Sequence, residues 1–292
     1  MKNIIIGTAA FGLPYGLSNN NFPVELEKIK SIINTADEQK LLEYDTAPSY
    51  GKSETLLGKY TQKEILISTK THQINKEKIS SEDIKIISNT FKKSMKSTNR
   101  NTFENLYIHS PSDLINQGGE YVYEWLENLK YNKHINKIGV SVFHIKDLET
   151  ILKKYKIDVV QIPLNLFDQR FLKSGMISNL RSLNIEINIR SIYLQGLLLK
   201  PMNKIPKYFD EFKKYFDQVD DFISQMGLSR IQLCFLFVKQ ISEVNKIIIG
   251  FKNKNQISDL LSIDKMDINL PNLSYLASNE INLIYPTKWW SK

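Results

Sequence analysis

Short apolar runs alternate with longer amphipathic stretches along the whole chain. The apolar runs cover residues 3–7, 41–46, 65–70, 106–109, 137–141, 159–163, 186–191 and 247–250. They are rich in Ile, Val and Leu and lack a clean two-residue alternation. That is the pattern of parallel strands with both faces buried, and it predicts eight of them. Between them, apolar positions recur at helical spacing. Val24, Ile29, Ile32 and Ile33 mark one face of a helix over residues 24–40. Residues 81–96 open on Ser81 as the expected cap, followed by Glu82 and Asp83, acids that favour a helix N-terminus. Further helices are expected over 118–131, 145–155, 173–183, 207–226, 229–240 and 255–261.

Eight strand-then-helix units with no break in composition predict a single-domain α/β fold over residues 1–292, a (β/α)8 TIM barrel. The alternative, an open doubly wound sheet, tends to carry a glycine-rich first turn. Here that turn reads Gly7-Thr8-Ala9-Ala10-Phe11-Gly12, which does not spell the dinucleotide fingerprint. The connection after Ser191 has room for an extra loop and helix.

The richest stretch for chemistry is Glu43-Tyr44-Asp45-Thr46-Ala47-Pro48-Ser49-Tyr50-Gly51-Lys52-Ser53-Glu54. A strand ends there in a loop that carries an acid and a phenol. The next strand ends on Lys70 and the one after on His109. Taken singly, Asp45 reads as a turn acid and Lys70 as a lysine whose head reaches solvent. At three successive strand ends, the four read together as a site, because a barrel gathers its strand ends at one mouth. The D-T-A-x-x-Y-G-x-S-E box, with the Lys and the His closing the following strands, resembles the aldo-keto reductases. The family's catalytic tetrad falls on Asp45, Tyr50, Lys70 and His109.

The resemblance implies carbonyl reduction, which needs a hydride at carbon and a proton at oxygen. A free phenol, with a pKa of ~10, is a poor acid at neutral pH. An adjacent ammonium favours the phenolate, a role expected of Lys70. Asp45 would keep Lys70 charged and oriented, and His109 would donate a hydrogen bond to the carbonyl oxygen. Tyr50 is then the general acid.

The resemblance also implies NADPH as cofactor and a small-molecule carbonyl substrate. Gly139-Val140-Ser141 resembles the family's G-V-S-N turn, with Val142 in place of Asn, and puts Ser141 at the nicotinamide carboxamide together with Gln161. Residues 190–196 (Arg190-Ser191-Ile192-Tyr193-Leu194-Gln195-Gly196) resemble the loop that wraps the pyrophosphate. Ser191 and Gly196 belong to it, and Arg190 stands where an aromatic often stacks on the nicotinamide. Residues 248–259 resemble the family's I-P-G-x-[KR]-x-x-x-Q box. They supply Gly250, Lys252 for a 2′-phosphate, and Gln256 and Asp259 for the adenosine. The stretch 165–171, with 190–196, resembles a bacterial branch associated with surface-polysaccharide sugars. Asp168 and Arg170 are expected to meet a polar substrate or brace the loop. Tyr15, Trp289 and Trp290 are candidates for the substrate wall.

Composition narrows the rest. A single cysteine, Cys234, excludes an internal disulfide, suits a reducing cytoplasm, and sits in an apolar run as a core residue. The first residues hold too short an apolar run for a signal-peptide core and read as a strand, and no run reaches the ~20 apolar residues a membrane span needs. The net charge of +8 comes from 39 basic residues scattered among 31 acids, not gathered into a nucleic-acid surface. His72 reads as a loop residue, and His134 and His144 as surface residues. No His, Cys or carboxylate spacing implies a metal. A rival reading is a barrel that binds NADP(H) as a scaffold or sensor with little turnover.

Overall fold

The structure is a computed structural model and describes residues 3–17 and 22–289. Eight strands form one closed, all-parallel barrel in chain order: β1 (Asn3–Gly7), β2 (Glu43–Asp45), β3 (Leu66–Lys70), β4 (Phe103–Ile108), β5 (Ile135–Ser141), β6 (Val159–Pro163), β7 (Glu186–Arg190) and β8 (Lys246–Gly250). β8 returns to β1 with Gly7 beside Gly250. Helices cover the outside, most of them burying an apolar stripe. Leu26–Glu38 inserts Ile29, Ile32, Ile33 and Ala36 against the barrel. Each fully buried aliphatic side chain contributes about 1.5–3 kcal/mol, an upper figure because the unfolded chain already hides some of this surface.

Strand register places the chemistry. Asp45 pairs with Ser68, two residues before Lys70. Lys70 pairs with Tyr107, two residues before His109. Side chains two apart share a face, so each step across the sheet keeps one inward-facing row and raises it toward the carboxyl ends. Below that row the barrel is polar. Asn105 donates to Ser68 at 2.8 Å and Asn188 to the Tyr107 hydroxyl at 2.8 Å. At the floor, Lys137 bridges Glu104 and Glu186, both at 2.8 Å, and Lys246 reaches Glu43 at 2.7 Å.

Several boundaries differ from the sequence reading. The cap of the helix Ser81–Thr98 is Ser80, not Ser81. Asp83 sits three positions after Ser80, where its carboxylate accepts from the Ser80 N–H while the Ser80 hydroxyl accepts from the Asp83 N–H. The helix expected over 173–183 is broken at Gly175, whose φ of +75° ends the turn Arg170–Lys173 before Met176–Ser182 begins. The stretch 207–226 starts as a tight turn, Lys207–Phe212, before Lys213–Met226 becomes regular. The helix Ser53–Tyr60 has no counterpart in the apolar pattern, because its buried face is Ser53, Glu54 and Leu57, two of them polar.

The loop after β1 and the loop after β2 touch through glycine. A Cβ on Gly12 would stand 1.9 Å from the carbonyl oxygen of Tyr50 and 2.8 Å from the Lys52 nitrogen, both backbone atoms that cannot swing aside. Gly12→Ala is therefore expected to cost about 1–3 kcal/mol by overpacking and to shift the Tyr50 loop. Chemical denaturation and turnover check it together. Unchanged midpoint and rate would show that the two loops are not in contact.

Candidate active site

Lys70 is the centre of the cluster. It ends β3 and is 2% exposed, beside Asp45 at 4%. Its ammonium donates to both Asp45 oxygens, at 2.8 and 2.7 Å, and to the Thr46 carbonyl at 3.0 Å. The centre of the Tyr50 ring lies 5.0 Å from the ammonium nitrogen. Tyr50 lies in the turn between β2 and the helix Ser53–Tyr60. His109 follows β4, with its ring edge-on to Tyr50 at 6.3 Å between centres. The four residues expected from sequence therefore converge on one cavity of about 550 Å³ at the carboxyl ends of the strands.

The electrostatics follow from burial. Loss of water alone would pull the Lys70 ammonium down, but Asp45 and Tyr50 overcome this and hold its pKa above the usual value. His109 goes the other way. Burial, then the positive charges of Lys70 and Arg190, push its pKa down to about 3. At neutral pH its ring is uncharged, with one nitrogen a donor and one an acceptor. Nδ1 is buried with no protein partner, and the backbone N–H of His109 donates to the Thr71 hydroxyl at 3.2 Å. A neutral imidazole can donate to a carbonyl oxygen without placing a second charge beside Lys70.

Residues unassigned from sequence hold this arrangement. Thr8 donates to the Asp45 carbonyl at 2.9 Å, and Ser53 donates to the Thr8 hydroxyl at 2.6 Å. Glu54 accepts from Thr69 at 2.8 Å and Ser94 at 3.0 Å, tying the Tyr50 loop's helix to the neighbouring strand and helix. Ser53 and Glu54 were visible as the end of the acid-phenol box, but nothing in their spacing showed what they bind. Gln161 joins two sets: its amide donates to Asp45 at 2.8 Å and accepts from Ser141 at 3.3 Å.

The expected cofactor residues divide. Ser141, Gln161, Arg190, Ser191, Gly196, Gly250, Lys252 and Gln256 all line the same cavity, so one continuous trough runs from the tetrad to the end of β8. Asp259 does not; it is exposed on the helix Asn255–Asp264, outside the cavity wall. The loop after β7 is held in left-handed backbone at Ser191 (φ +63°), Gln195 (φ +53°) and Gly196 (φ +87°). Only glycine adopts that conformation freely, and non-glycine residues held there mark a shaped loop. Gln256 accepts from the Lys252 N–H at 2.7 Å, fixing the turn at the start of its helix. Burial and then the nearby charge of Lys200 draw the Lys252 pKa down.

The residues expected for a substrate wall fall in different places. Tyr15 lines the cavity. Although 38% of the residue is exposed, burial of its hydroxyl, then the neighbouring Tyr50, pushes its pKa up to about 12. Trp289 is not part of the wall. It is buried in the core, edge-on to Phe209, and donates to the Leu283 carbonyl. Trp290 lies outside the described residues. Asp168 and Arg170 brace the loop: the guanidinium clamps both carboxylate oxygens at 2.8 and 2.9 Å and lies over the Phe143 ring. His134 and His72 are exposed, and His144 is exposed at the cavity rim. Cys234 is buried, with its thiol pushed up to about 12, as expected of a core residue. No helix among the described residues is long and apolar enough to cross a membrane.

A barrel with this cluster at its mouth is the architecture of a reductase class, and comparison with known proteins agrees. The model of the Aldo/keto reductase family matches residues 3–278. The chain belongs to that family and is an NAD(P)H-dependent oxidoreductase acting on carbonyl compounds. Among solved structures it resembles a glycerol dehydrogenase from Gluconobacter oxydans (TM-score 0.69, 19% identity, 97% of this chain and 92% of that one). It also resembles an aldo-keto reductase from Bacillus halodurans in its holo form (TM-score 0.71, 16% identity, 94% and 92%). At these identities the likeness is one of fold. No curated protein matches the chain.

The His109 shift carries a testable sign. Its native pKa of about 3 lies below the ~6.5 of an unfolded chain. Across that window the unfolded state binds a proton that the native state refuses, so this group's contribution to stability is present above pH ~6.5 and is lost as pH falls. Nitrogen NMR of the ring should show neutral imidazole down to pH ~4. A titration midpoint near 6 would contradict the buried, cation-flanked environment.

Proposed function

We propose that this chain reduces an aldehyde or ketone with NADPH, with Tyr50 as proton donor. The observation that carries the reading is the Lys70 ammonium, bonded to both Asp45 oxygens and 5.0 Å from the centre of the Tyr50 ring, in a cavity shared with a neutral His109. The residues fit a nicotinamide cofactor, since the cavity is a trough with proton-transfer groups at one end and Lys252 and Gln256 at the other. When bound, that cofactor supplies the hydride. His109 donates a hydrogen bond that orients the carbonyl and draws electron density to oxygen. Tyr50 passes its proton to the same oxygen as charge builds there, and Lys70 stabilises the phenolate that remains. Asp45 and Gln161 keep Lys70 charged and aimed.

Ser141 and Gln161 would take the carboxamide. Because both ends of the Gln161 side-chain amide are already engaged, that contact is shared with Asp45 and Ser141. Ser191 and Gly196 would wrap the pyrophosphate, and Gly250, Lys252 and Gln256 the adenosine end. Lys252, with Lys200 close enough to depress its pKa, supports a 2′-phosphate and hence NADPH over NADH. Gln73, Ser110 and Asp147 offer hydrogen bonds along the wall, which suits a hydroxylated, sugar-like carbonyl compound.

Tyr50→Phe should abolish turnover, a fall of at least about 10²-fold, while leaving NADPH affinity nearly intact. Loss of cofactor binding with the residual rate unchanged would contradict the role. Tight NADPH binding by the unaltered chain with no reduction across a panel of sugar aldehydes and ketones would favour a sensor or scaffold. Lys252→Ala should weaken NADPH by about tenfold or more and NADH little, since only the first carries the extra phosphate. Equal effects on the two, measured by titration, would reject the contact.

A further inference from the structure

Arg190 closes β7 and borders the reacting end of the cavity. Among the described residues no carboxylate lies within ion-pair distance of it, in contrast to Arg170 with its Asp168 clamp. Its guanidinium donates to the Val142 carbonyl at 3.3 Å and the Ser191 hydroxyl at 3.4 Å, both long for a charged donor. Its Nε–H is buried with no partner. Phe143, 5.8 Å away, flanks it. The other strong charges at this end, Lys70 and Asp45, are spent on each other, and Asp147 on the wall makes no ion pair with Arg190. One uncompensated positive charge therefore remains where the reaction occurs. Asn188, two residues before Arg190, pairs with Gln161, whose amide donates to Asp45, so the charge stands at the tetrad end of the cavity, where it also helps push His109 down.

The consequence rests on the nicotinamide reading of the site. In reduction, a hydride with its electron pair leaves the nicotinamide for the carbonyl carbon, and the Tyr50 proton goes to the oxygen. The ring changes from a neutral dihydropyridine to a pyridinium cation. The hydride donor must approach the carbonyl carbon to ~3–3.5 Å, and the carbonyl oxygen must lie within reach of Tyr50 and His109. The ring is thereby confined to the end of the cavity that Arg190 borders. A fixed cation there repels the oxidised ring and leaves the reduced ring untouched. The geometry points to Arg190 as the residue that makes this site hold reduced cofactor and expel oxidised cofactor, so that the enzyme is set to run as a reductase. A neutral aromatic plate at the same position could stack on either form and would not separate them by charge.

The test is a set of dissociation constants, measured by fluorescence or calorimetry on the full chain for NADPH, NADP+ and 2′,5′-ADP. The proteins are the unaltered chain, Arg190→Lys and Arg190→Gln, with thermal melting to confirm that each is folded. The unaltered chain should bind NADPH at least about tenfold more tightly than NADP+. Arg190→Lys, which keeps the charge, should keep most of that ratio. Arg190→Gln should bring it to within about threefold of one, chiefly through tighter NADP+ binding. All three should bind 2′,5′-ADP, which carries no nicotinamide, alike. A ratio near one in the unaltered chain overturns the proposal, as does a ratio unchanged in Arg190→Gln. So does loss of 2′,5′-ADP binding with the charge, which would give the guanidinium to a phosphate. Failure of the unaltered chain to bind either dinucleotide would remove the nicotinamide reading itself, and this inference with it.

Discussion

A lysine ammonium cut off from water is the constraint around which this barrel mouth is arranged. Lys70 is almost wholly buried, and an isolated charge there would be strongly destabilising. It persists because both Asp45 oxygens and the Thr46 carbonyl accept its hydrogen bonds. That requirement fixes the ends of β2 and β3 relative to each other and brings the Tyr50 loop inward. The surrounding contacts serve the same end. Gln161 restrains one Asp45 oxygen, Thr8 and Ser53 tie the Asp45 backbone to the first loop, and Gly12 lets that loop lie directly on Tyr50. Stability and the proposed chemistry are coupled here because the ammonium that holds these strand ends together is also the charge beside the Tyr50 ring.

The same charge shapes its neighbours. Burial, then the charges of Lys70 and Arg190, keep His109 neutral near pH 7, so in the proposed reaction the imidazole would serve as a hydrogen-bond donor and not as an acid. The Lys70 charge is balanced by Asp45, whereas that of Arg190 is not balanced by any carboxylate within ion-pair distance among the described residues. The reacting end of the trough therefore carries a net positive bias, favourable to an oxygen that gains negative charge and unfavourable to a ring that gains positive charge. On the proposed role of Arg190, both effects would favour the reductive direction.

Much of this was legible in the chain. Parallel strands buried on both faces leave unbroken Ile and Val runs, and β1, β6 and β8 lie where those runs lie. The convergence of Asp45, Tyr50, Lys70 and His109 was legible because three of them stand at the ends of successive strands and Tyr50 in the loop after the first, and a barrel has one mouth. The helix Ser53–Tyr60 was hidden because it buries hydroxyl and carboxyl groups, which no hydrophobic period reveals. The Ser80 cap lay one residue from the expected one because either serine could begin the helix, and only the reciprocal bond with Asp83 decides. Trp289 belongs to the core, a distinction between wall and packing that depends on how the tail folds back over Phe209. The Gln161–Asp45 bond joins residues 116 positions apart and has no local signature.

The central claim is that Lys70 acts on the reaction through Tyr50, as one unit with it. The direct measurement is the single-turnover rate of hydride transfer in Tyr50→Phe, Lys70→Met and the double variant, with cofactor binding confirmed for each. Residues that act as a unit give strongly non-additive losses. The account predicts that each single variant loses most of the rate and that the double variant is scarcely slower than Tyr50→Phe alone. Independent, multiplying losses, or a Lys70→Met variant that turns over like the unaltered chain, would contradict it.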